Sequence, residues 1–361
     1  MIGIVHVMAR MAPGGTEHQL LGMLEAAVTS GLWDPTLCVL SDGHPLTERA
    51  RQAGVRTIEI EGGSRADPGR LAPFRHLTAP ADLIHSSLWG ANAFSRIANL
   101  GSGRPPVVIS ERGVEDHRTR AQRLVDRSLA PQTMGFIGNS RAVTEFISGW
   151  HGVDPNDDRL AEISNGIDTD IFHPRRRADG SGFVNVITSV GRLIPGKRVD
   201  RIIAMLPAVL EHVPAELVVA GDGPEREKLT AMASGLPVRF LGHVGSREQL
   251  AGVLRSTQVL AMPSASEGLP NAVIEALACG SRVVASDIPG IRPLAGPGVT
   301  LVEDDPSAWV AALVSAIEAG PPDTSVPHWS VRSFEQVAKE HLAHFEQAIE
   351  RHRNRKGEDR E

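Results

Sequence analysis

Two glutamates, Glu267 and Glu275, stand eight residues apart in "SASEGLPNAVIEALACG", on either side of a Gly268-Leu269-Pro270 turn. After the turn, Ala272, Val273, Ala276, Leu277 and Ala278 supply the apolar body of a helix. Pro270 suits the first helical turn, where a missing N–H costs nothing, and Gly280 suits its end. Glu267 is then expected in the loop before the helix and Glu275 about one turn inside it. That is an unusual place for charges whose only role is solubility, although a capped surface helix with incidental acids has the same pattern.

A second group is cationic. "GRLIPGKRVDRII" sets Arg192 and Lys197 at a strand-to-helix junction, where their reach and charge suit two neighbouring phosphates, or simply a solvated loop. Arg198 and Arg201 fall on the outer helix face. In "VVAGDGPEREKL" the first-turn acids Glu225 and Glu227 favour the positive end of a helix dipole and make a poor phosphate cradle, so this loop reads as architecture. In "MARMAPGGTEHQLLGML" Gly14 and Gly15 permit a close backbone approach, and the following helix amides could face an anion. There is no G-x-G-x-x-G and no Walker A lysine, which leaves dehydrogenase and P-loop readings without their key residues.

The elements that must position these groups read as short apolar strands alternating with helical patterns. In the first half they are "GIVHVM", "TLCVL", "RTIEI", "DLIHS", "PVVIS" and "MGFIGNS"; in the second, "FVNVITSVG", "ELVVAG", "VRFLG", "QVLAMP", "RVVAS" and "VTLVE". Continuous apolar strands between helices predict an α/β fold with parallel sheets covered on both faces, here two doubly wound domains. The turn formers and basic run of "NGIDTDIFHPRRRADGSG" set the division at about residue 175, giving domains 1–175 and 176–332. Residues 333–361 follow as a helix with Phe334, Val337, Leu342, Phe345 and Ile349 as its apolar stripe and "EDRE" fraying. Ligands of open α/β sheets bind outside the carboxyl ends of the strands, so a cleft between the domains is the expected site.

Composition sets the outer bounds. The chain has 361 residues, enough for two domains, is 41% apolar and carries a net charge of −6, which gives nucleic acid no global attraction. Its two cysteines, Cys38 and Cys279, lie in apolar segments and read as buried residues of a reducing compartment. The N-terminus reads as a strand rather than a leader, and no run of 18 apolar residues occurs. A cytoplasmic protein is expected, with peripheral contact at the inner face of a membrane left open. No zinc spacing appears, and "EDD" at 303–305 reads as a solvated cap.

Taken together, "GGTEHQL", "SNGIDTDIFHP", "GRLIPGKRVD", "GDGPEREKL" and the E-x7-E element Glu267 to Glu275 resemble, in order and spacing, the retaining glycosyltransferases of family 4, which have the GT-B fold of two Rossmann-like domains facing a cleft. The resemblance spans nearly the whole chain and implies transfer of a sugar from a uridine or guanosine diphosphate sugar to a glycan, lipid-linked or small-molecule acceptor. It implies that Glu275 hydrogen-bonds the ribose, that Glu267 contacts the donor sugar, and that Arg192 and Lys197 neutralise the departing diphosphate. Backbone from Gly268 through Leu269 and Pro270 to Asn271 would support the same group, Gly14 and Gly15 would approach it from the first domain, and His243 and Val244 would hold the base. No metal or cofactor beyond the donor is implied, and the C-terminal helix would cross back onto the first domain.

One position departs from the pattern. Family members often carry His-x-His where this chain has His85 and Ser87 in "DLIHSSLWGANAFSRIA". His85 stands as a catalytic candidate beside the reading of a satisfied strand-end histidine. The first domain would hold the acceptor, with Trp89, Asn92, Glu17 and Glu111 as contacts. Arg120, Arg123 and Arg127 would form a basic helix face for a polyanionic or lipid-phosphate acceptor, or an ordinary surface balanced by Asp116 and Asp126. Same-face attack is favoured by the resemblance, the donor phosphate taking the acceptor proton. The alternatives are a GT-B sugar-nucleotide epimerase, which would need acid/base residues, and a non-catalytic nucleotide-sugar binder; a phosphorylase would need a pyridoxal-phosphate lysine.

Overall fold

The computed structural model describes residues 1–41, 43–62, 67–101, 103–114, 118–174, 185–322, 328 and 330–358. The chain divides into two compact units, one made of Met1–Gly166 with Ser333–Glu361 and one of Ile167–Arg332. The division by contacts, between Gly166 and Ile167, lies nine residues before the one expected at 175. Ile167 donates its backbone N–H to the Arg332 carbonyl at 2.8 Å, and Ile167 and Phe172 are buried in the core of the second unit. Those apolar side chains sit among the turn formers, ahead of the basic run, and already belong to the second unit. Asp116 lies outside the described residues, as do the basic run and glycines of 175–184 and the last three residues.

The first unit is a seven-stranded sheet in the order β3-β2-β1-β4-β5-β6-β7. Its strands are β1 (Gly3–Met8), β2 (Asp34–Val39), β3 (Arg56–Glu59), β4 (Leu83–Ser87), β5 (Val107–Glu111), β6 (Gly135–Gly138) and β7 (Leu160–Glu162). All six pairings are parallel. β1, β4, β5 and β6 are buried almost end to end because helices cover both faces, which is why each carries consecutive apolar residues. Val5, Phe74, Ile84 and Phe136 fill one side of the sheet, and Met8, Leu24, Trp33 and Phe345 the other. Among the covering helices are α1 (Gly15–Thr29), α2 (Pro45–Gln52), α3 (Leu71–Thr78), α4 (Trp89–Ala98), α5 (Arg120–Leu129) and α6 (Arg141–His151).

The second unit is a six-stranded parallel sheet in the order β10-β9-β8-β11-β12-β13. Its strands are β8 (Asn185–Val190), β9 (Ala215–Ala220), β10 (Val238–Gly242), β11 (Val259–Met262), β12 (Arg282–Ser286) and β13 (Val299–Val302). They alternate with α7 (Val199–Leu210), α8 (Arg226–Met232), α9 (Arg247–Ser256), α10 (Asn271–Ala278) and α11 (Pro306–Glu318). Asp305 caps α11 by accepting from the Ser307 N–H, the expected role for that acidic stretch. In both sheets the strand order reverses once, between β1 and β4 and between β8 and β11, and a crevice opens at the carboxyl ends of such a pair.

The last helix, α12 (Phe334–Glu358), packs in the first unit against α1, β5 and β6. Val337, Phe345 and Ile349 are buried there, and Leu342 packs beside them. Phe334 lies so close to Gly22 and Gly166 that neither position has room for a Cβ: at Gly166 it would sit 2.7 Å from the ring. Gly166 is also clasped by Gln19, whose amide donates to its carbonyl at 2.8 Å and accepts from its N–H at 2.9 Å.

Candidate functional site

The crevice between β8 and β11 is where the cationic loop and the first glutamate meet. The chain leaves β8 through Gly191 at φ +143° and reaches a short 3-10 turn, Pro195–Lys197. Arg198 then adopts φ +51°, a left-handed conformation that starts α7 at an angle its neighbours impose. Lys197 is thereby turned toward the loop after β11, where its Nζ donates to Oε1 of Glu267 at 2.5 Å. The same two loops are tied by the Ala265 N–H bonding to the Gly196 carbonyl at 2.9 Å.

Both loops are braced by glycines that tolerate no side chain. The Leu193 N–H bonds to the Asp222 carbonyl at 2.9 Å, and the Glu225 N–H returns to the Leu193 carbonyl at 3.1 Å. A Cβ on Gly223 would stand 2.8 Å from Leu193 backbone, and one on Gly290 would stand 2.6 Å from the Glu267 carbonyl carbon. The Gly-rich loop after β9 is thus the architectural wall that its acids suggest, pressing the cationic loop into shape.

Arg192 is exposed, and among the described residues its guanidinium makes no ion pair or side-chain hydrogen bond. Lys197 therefore already has a carboxylate partner while Arg192 has none. Behind Lys197 lies a small cavity bounded by Gly191, Ala261, Met262 and Ser264. The Ser264 hydroxyl is buried there with no hydrogen-bond partner, a donor that the sequence offered only as part of the loop.

Gly268, Leu269 and Pro270 carry the chain from Glu267 into α10. Pro270, expected within the first turn, is the residue before it, with extended ψ of 116°, and Asn271 opens the helix. Glu275 lies one turn inside and is buried, 7% exposed. Burial raises its carboxyl above the usual range, and the Arg247 guanidinium pulls in the opposite direction. Arg247 stands 3.6 Å from Glu275 and its guanidinium lies over the Phe172 ring, 4.8 Å from the centroid. Sequence reasoning passed over Arg247 because nothing local marks an arginine at the start of α9 as the partner of a glutamate 28 residues later. His243 and Val244 lie in the loop from β10 to α9, with His243 exposed.

In the first unit Gly14 is the residue before α1, extended at φ −161°, and Gly15 begins the helix. The Glu17 carboxylate folds back over Gly14, leaving no room for a side chain. Both glycines lie in the first unit, and Lys197 and Glu267 in the second.

His85 is a core residue. It is 1% exposed, and both ring nitrogens are engaged: Nδ1 lies 3.0 Å from His6 Nδ1 and Nε2 lies 2.8 Å from Ser110 Oγ. Trp33 fixes the proton order. Its Nε1–H donates to His6 Nε2 at 3.0 Å, so neutral His6 carries its proton on Nδ1 and gives that bond to His85, which donates from Nε2 to Ser110. Burial pushes His6 down to about 3 and holds His85 well below the ordinary imidazole range. His341 and Phe345 of α12 close the cluster.

The other expected acceptor contacts also turn inward. Glu111 is fully buried, held by Arg118 at 2.7 and 3.1 Å with His151 at 3.6 Å. These partners outweigh burial and lower it to about 2. Trp89 donates its indole N–H to Asp126 at 3.0 Å, and Asn92 donates to the Ser110 carbonyl at 3.0 Å. Arg123 and Arg127 donate to the Gly149 and Trp150 carbonyls at the end of α6, so this basic face of α5 caps a neighbouring helix. After Ser87, which is 1% exposed, Leu88 takes φ +70°, a strained conformation for a branched side chain.

Among the described residues no helix is long and apolar enough to cross a membrane, and no group of three or more His, Cys, Asp or Glu is arranged to hold a metal.

Two family models cover most of the chain, Glycosyltransferase Family 4 over residues 13–171 and Glycosyl transferases group 1 over residues 184–319. Similar curated proteins include a GDP-mannose-dependent alpha-(1-6)-phosphatidylinositol dimannoside mannosyltransferase of Mycobacterium tuberculosis (strain H37Ra), 38% identical over 34% of this chain and 34% of that protein. A D-inositol 3-phosphate glycosyltransferase of Mycobacterium sp. (strain KMS) is 32% identical over 61% of this chain and 53% of that protein. The chain thus spans between a third and about half of the length of these relatives. Among solved structures, Anabaena HepE in complex with UDP and glucose superposes with a TM-score of 0.72 at 18% identity, covering 98% of this chain and 100% of that one. Sucrose-phosphate synthase from Thermosynechococcus elongatus gives 0.72 at 18% identity, with 99% of each chain covered. At such identities the likeness is one of fold.

Proposed function

The chain belongs to the glycosyl transferases of group 1, family 4, and we propose that it moves a sugar from a nucleoside diphosphate donor to an acceptor hydroxyl. The observation that carries this reading is the Lys197–Glu267 pair at the β8/β11 crevice, a cation and a carboxylate held 2.5 Å apart by two glycine-braced loops. A diphosphate needs the cation, and a sugar ring needs the carboxylate.

We assign the donor to the second unit. Lys197 and the exposed Arg192 offer positive charge to the diphosphate, and that charge gains value as the bond from the anomeric carbon to the phosphate oxygen breaks. Glu267 accepts hydrogen bonds from the sugar hydroxyls while holding the Lys197 ammonium in place. Glu275, kept ready by Arg247, accepts from the ribose hydroxyls. Backbone of Gly268–Asn271 supports the leaving group, and His243 and Val244 contact the base. The relatives' printed names include a GDP-mannose donor and inositol-type or phosphatidylinositol-type acceptors, and a guanosine or uridine diphosphate sugar is the donor class to test.

Transfer is proposed to retain configuration. Glu111, the carboxylate at the end of β5, is tied to Arg118 and His151 and so is not available as a nucleophile. The acceptor oxygen attacks the anomeric carbon on the face that the diphosphate leaves, and a donor phosphate oxygen takes the acceptor proton. Lysine and arginine supply the countercharge in this reading, so turnover is expected to persist in a metal chelator. The test is ligand-observed NMR with a panel of nucleoside diphosphate sugars in chelator, followed for nucleotide release. Binding of one donor with slow hydrolysis, lost in Lys197→Ala, supports the reading; no binding of any donor overturns it.

A further inference from the structure

The first unit encloses Arg70, Arg96 and Arg118 and half-encloses Arg112, and Arg112 differs from Arg96 and Arg118 in its partners. Arg96 is paired with Asp126, and Arg118 is paired with Glu111. Arg112, the first residue after β5, has no carboxylate partner among the described residues. Its Nη1 donates to the Asn165 amide oxygen at 3.2 Å, and its Nε is buried with no partner. The Asn139 amide holds its carbonyl at 3.4 Å. Burial lowers the guanidinium to about 10, so it stays charged at neutral pH. Some of the residue remains open to solvent.

A cation withdrawn from water without a counter-charge is costly, and guanidinium is the side chain whose planar fork fits an oxyanion. The surroundings are fixed in advance. Asn165 precedes the glycine clasped by Gln19, and Arg112 lies at the carboxyl end of a central parallel strand, where such sheets bind ligands. The other polar groups singled out nearby are engaged inside the fold: His85 by His6 and Ser110, Glu111 by Arg118, and Trp89 by Asp126.

We propose that Arg112 anchors an oxyanion subsite in the first unit, which receives a phosphoryl or carboxylate group carried by the molecule that accepts the sugar. The word acceptor rests on the transferase reading; the subsite itself does not. Asn165 orients one edge of the guanidinium, leaving the rest of the fork to the ligand.

The experiment is thermal melting of the full chain titrated with inorganic phosphate and, separately, with acetate. It compares wild type with Arg112→Met, Arg112→Lys, Lys197→Ala and the Arg112→Met/Lys197→Ala double variant. Two phosphate responses are expected. Lys197→Ala should keep the one that belongs to Arg112, Arg112→Met should keep the other, and the double variant should lose both. Arg112→Lys, with charge but no fork, should bind phosphate at its site at least tenfold more weakly than wild type. A comparable acetate response lost in Arg112→Met assigns a carboxylate; a phosphate response alone assigns a phosphoryl group. The proposal is overturned if Arg112→Met responds as wild type does, or if Lys197→Ala alone abolishes every response. It is also overturned if Arg112→Met melts well below wild type in anion-free buffer, since removing an uncompensated charge should not destabilise. Failure of the transferase reading appears separately, as absent nucleoside diphosphate sugar binding by wild type.

Discussion

Lys197 and Glu267, seventy residues apart in sequence, meet at 2.5 Å across the β8/β11 crevice. Neither is fully enclosed, with side-chain exposures of 26% and 12%, so each can exchange its partner for a ligand. In the proposed reading the pair is positioned before a ligand arrives, because each charge keeps the other from turning to solvent.

Lys197→Ala should weaken nucleoside diphosphate binding about 10- to 100-fold, the range for losing one charge-assisted bond of roughly 1.5–3 kcal/mol. Glu267→Gln should bind the free nucleoside diphosphate nearly as wild type does and lose affinity or turnover only with the sugar attached. Calorimetric titration with nucleotide and with nucleotide sugar checks both. Equal losses for the two ligands in Glu267→Gln would show that the carboxylate serves only to hold the lysine.

Gly290→Ala should disable the same loop from behind. The new methyl would press on the Glu267 carbonyl carbon at 2.6 Å and on the Gly268 oxygen at 2.9 Å, and backbone cannot give way as a side-chain tip can. A stability loss of about 1–3 kcal/mol should come with at least tenfold weaker donor binding. Denaturant unfolding and nucleotide titration on one preparation test this, and unchanged binding would show that the loop position is not set there.

Arg247→Ala should leave Glu275 buried without its cation. Burial already raises that carboxyl, so losing Arg247 raises it further and costs on the order of 3 kcal/mol of stability. Adding Glu275→Gln should recover most of that loss, because the stranded charge is gone. Unfolding of the single and double variants gives the coupling; additive losses would mean that the 3.6 Å approach contributes nothing.

Acid should unfold the first unit through its histidines. His6 sits at about 3, His344 at about 4 and His85 well below 6.5. All three are depressed, so the unfolded chain takes up protons that the folded chain refuses. Stability is complete above about pH 6.5 and falls as pH drops toward 4, by up to about 1.4 kcal/mol per histidine per pH unit. A melting series from pH 7.5 to 4.5 should show that slope, and His344→Gln should flatten it. His85→Gln should lower the melting temperature while leaving turnover per folded molecule intact; a selective loss of turnover would restore His85 to the chemistry.

How much was legible follows from burial and from sequence distance. Among the described residues, inner strands such as β1, β6, β9, β11 and β12 are apolar because helices cover both faces, and the remaining strands apart from β7 can still be read from short apolar segments. The exception is β7, whose Leu160, Ala161 and Glu162 form a short, half-exposed edge with no such run. Glu267, Glu275, Arg192 and Lys197 stood out by spacing against the elements around them. Arg247 and Arg112 did not, because what marks each is a remote partner, present in one case and missing in the other. His85 stood open between a catalytic candidate and a satisfied strand-end histidine for the same reason. A strand-end histidine looks free until His6, 79 residues earlier, is placed beside it.

The interruption of the first unit by residues 167–332 has a consequence for how the molecule is made. Synthesis runs from the N-terminus, and domains generally fold as units when their residues are available. The second unit is one uninterrupted stretch and can close on itself as soon as it has emerged. The first sheet is written early yet stays open until α12 delivers Val337, Phe345 and Ile349 to its core. Until then a nascent chain displays His6, His85 and the apolar face around Met8 and Leu24, a surface suited to chaperones, and the part translated first is the part finished last.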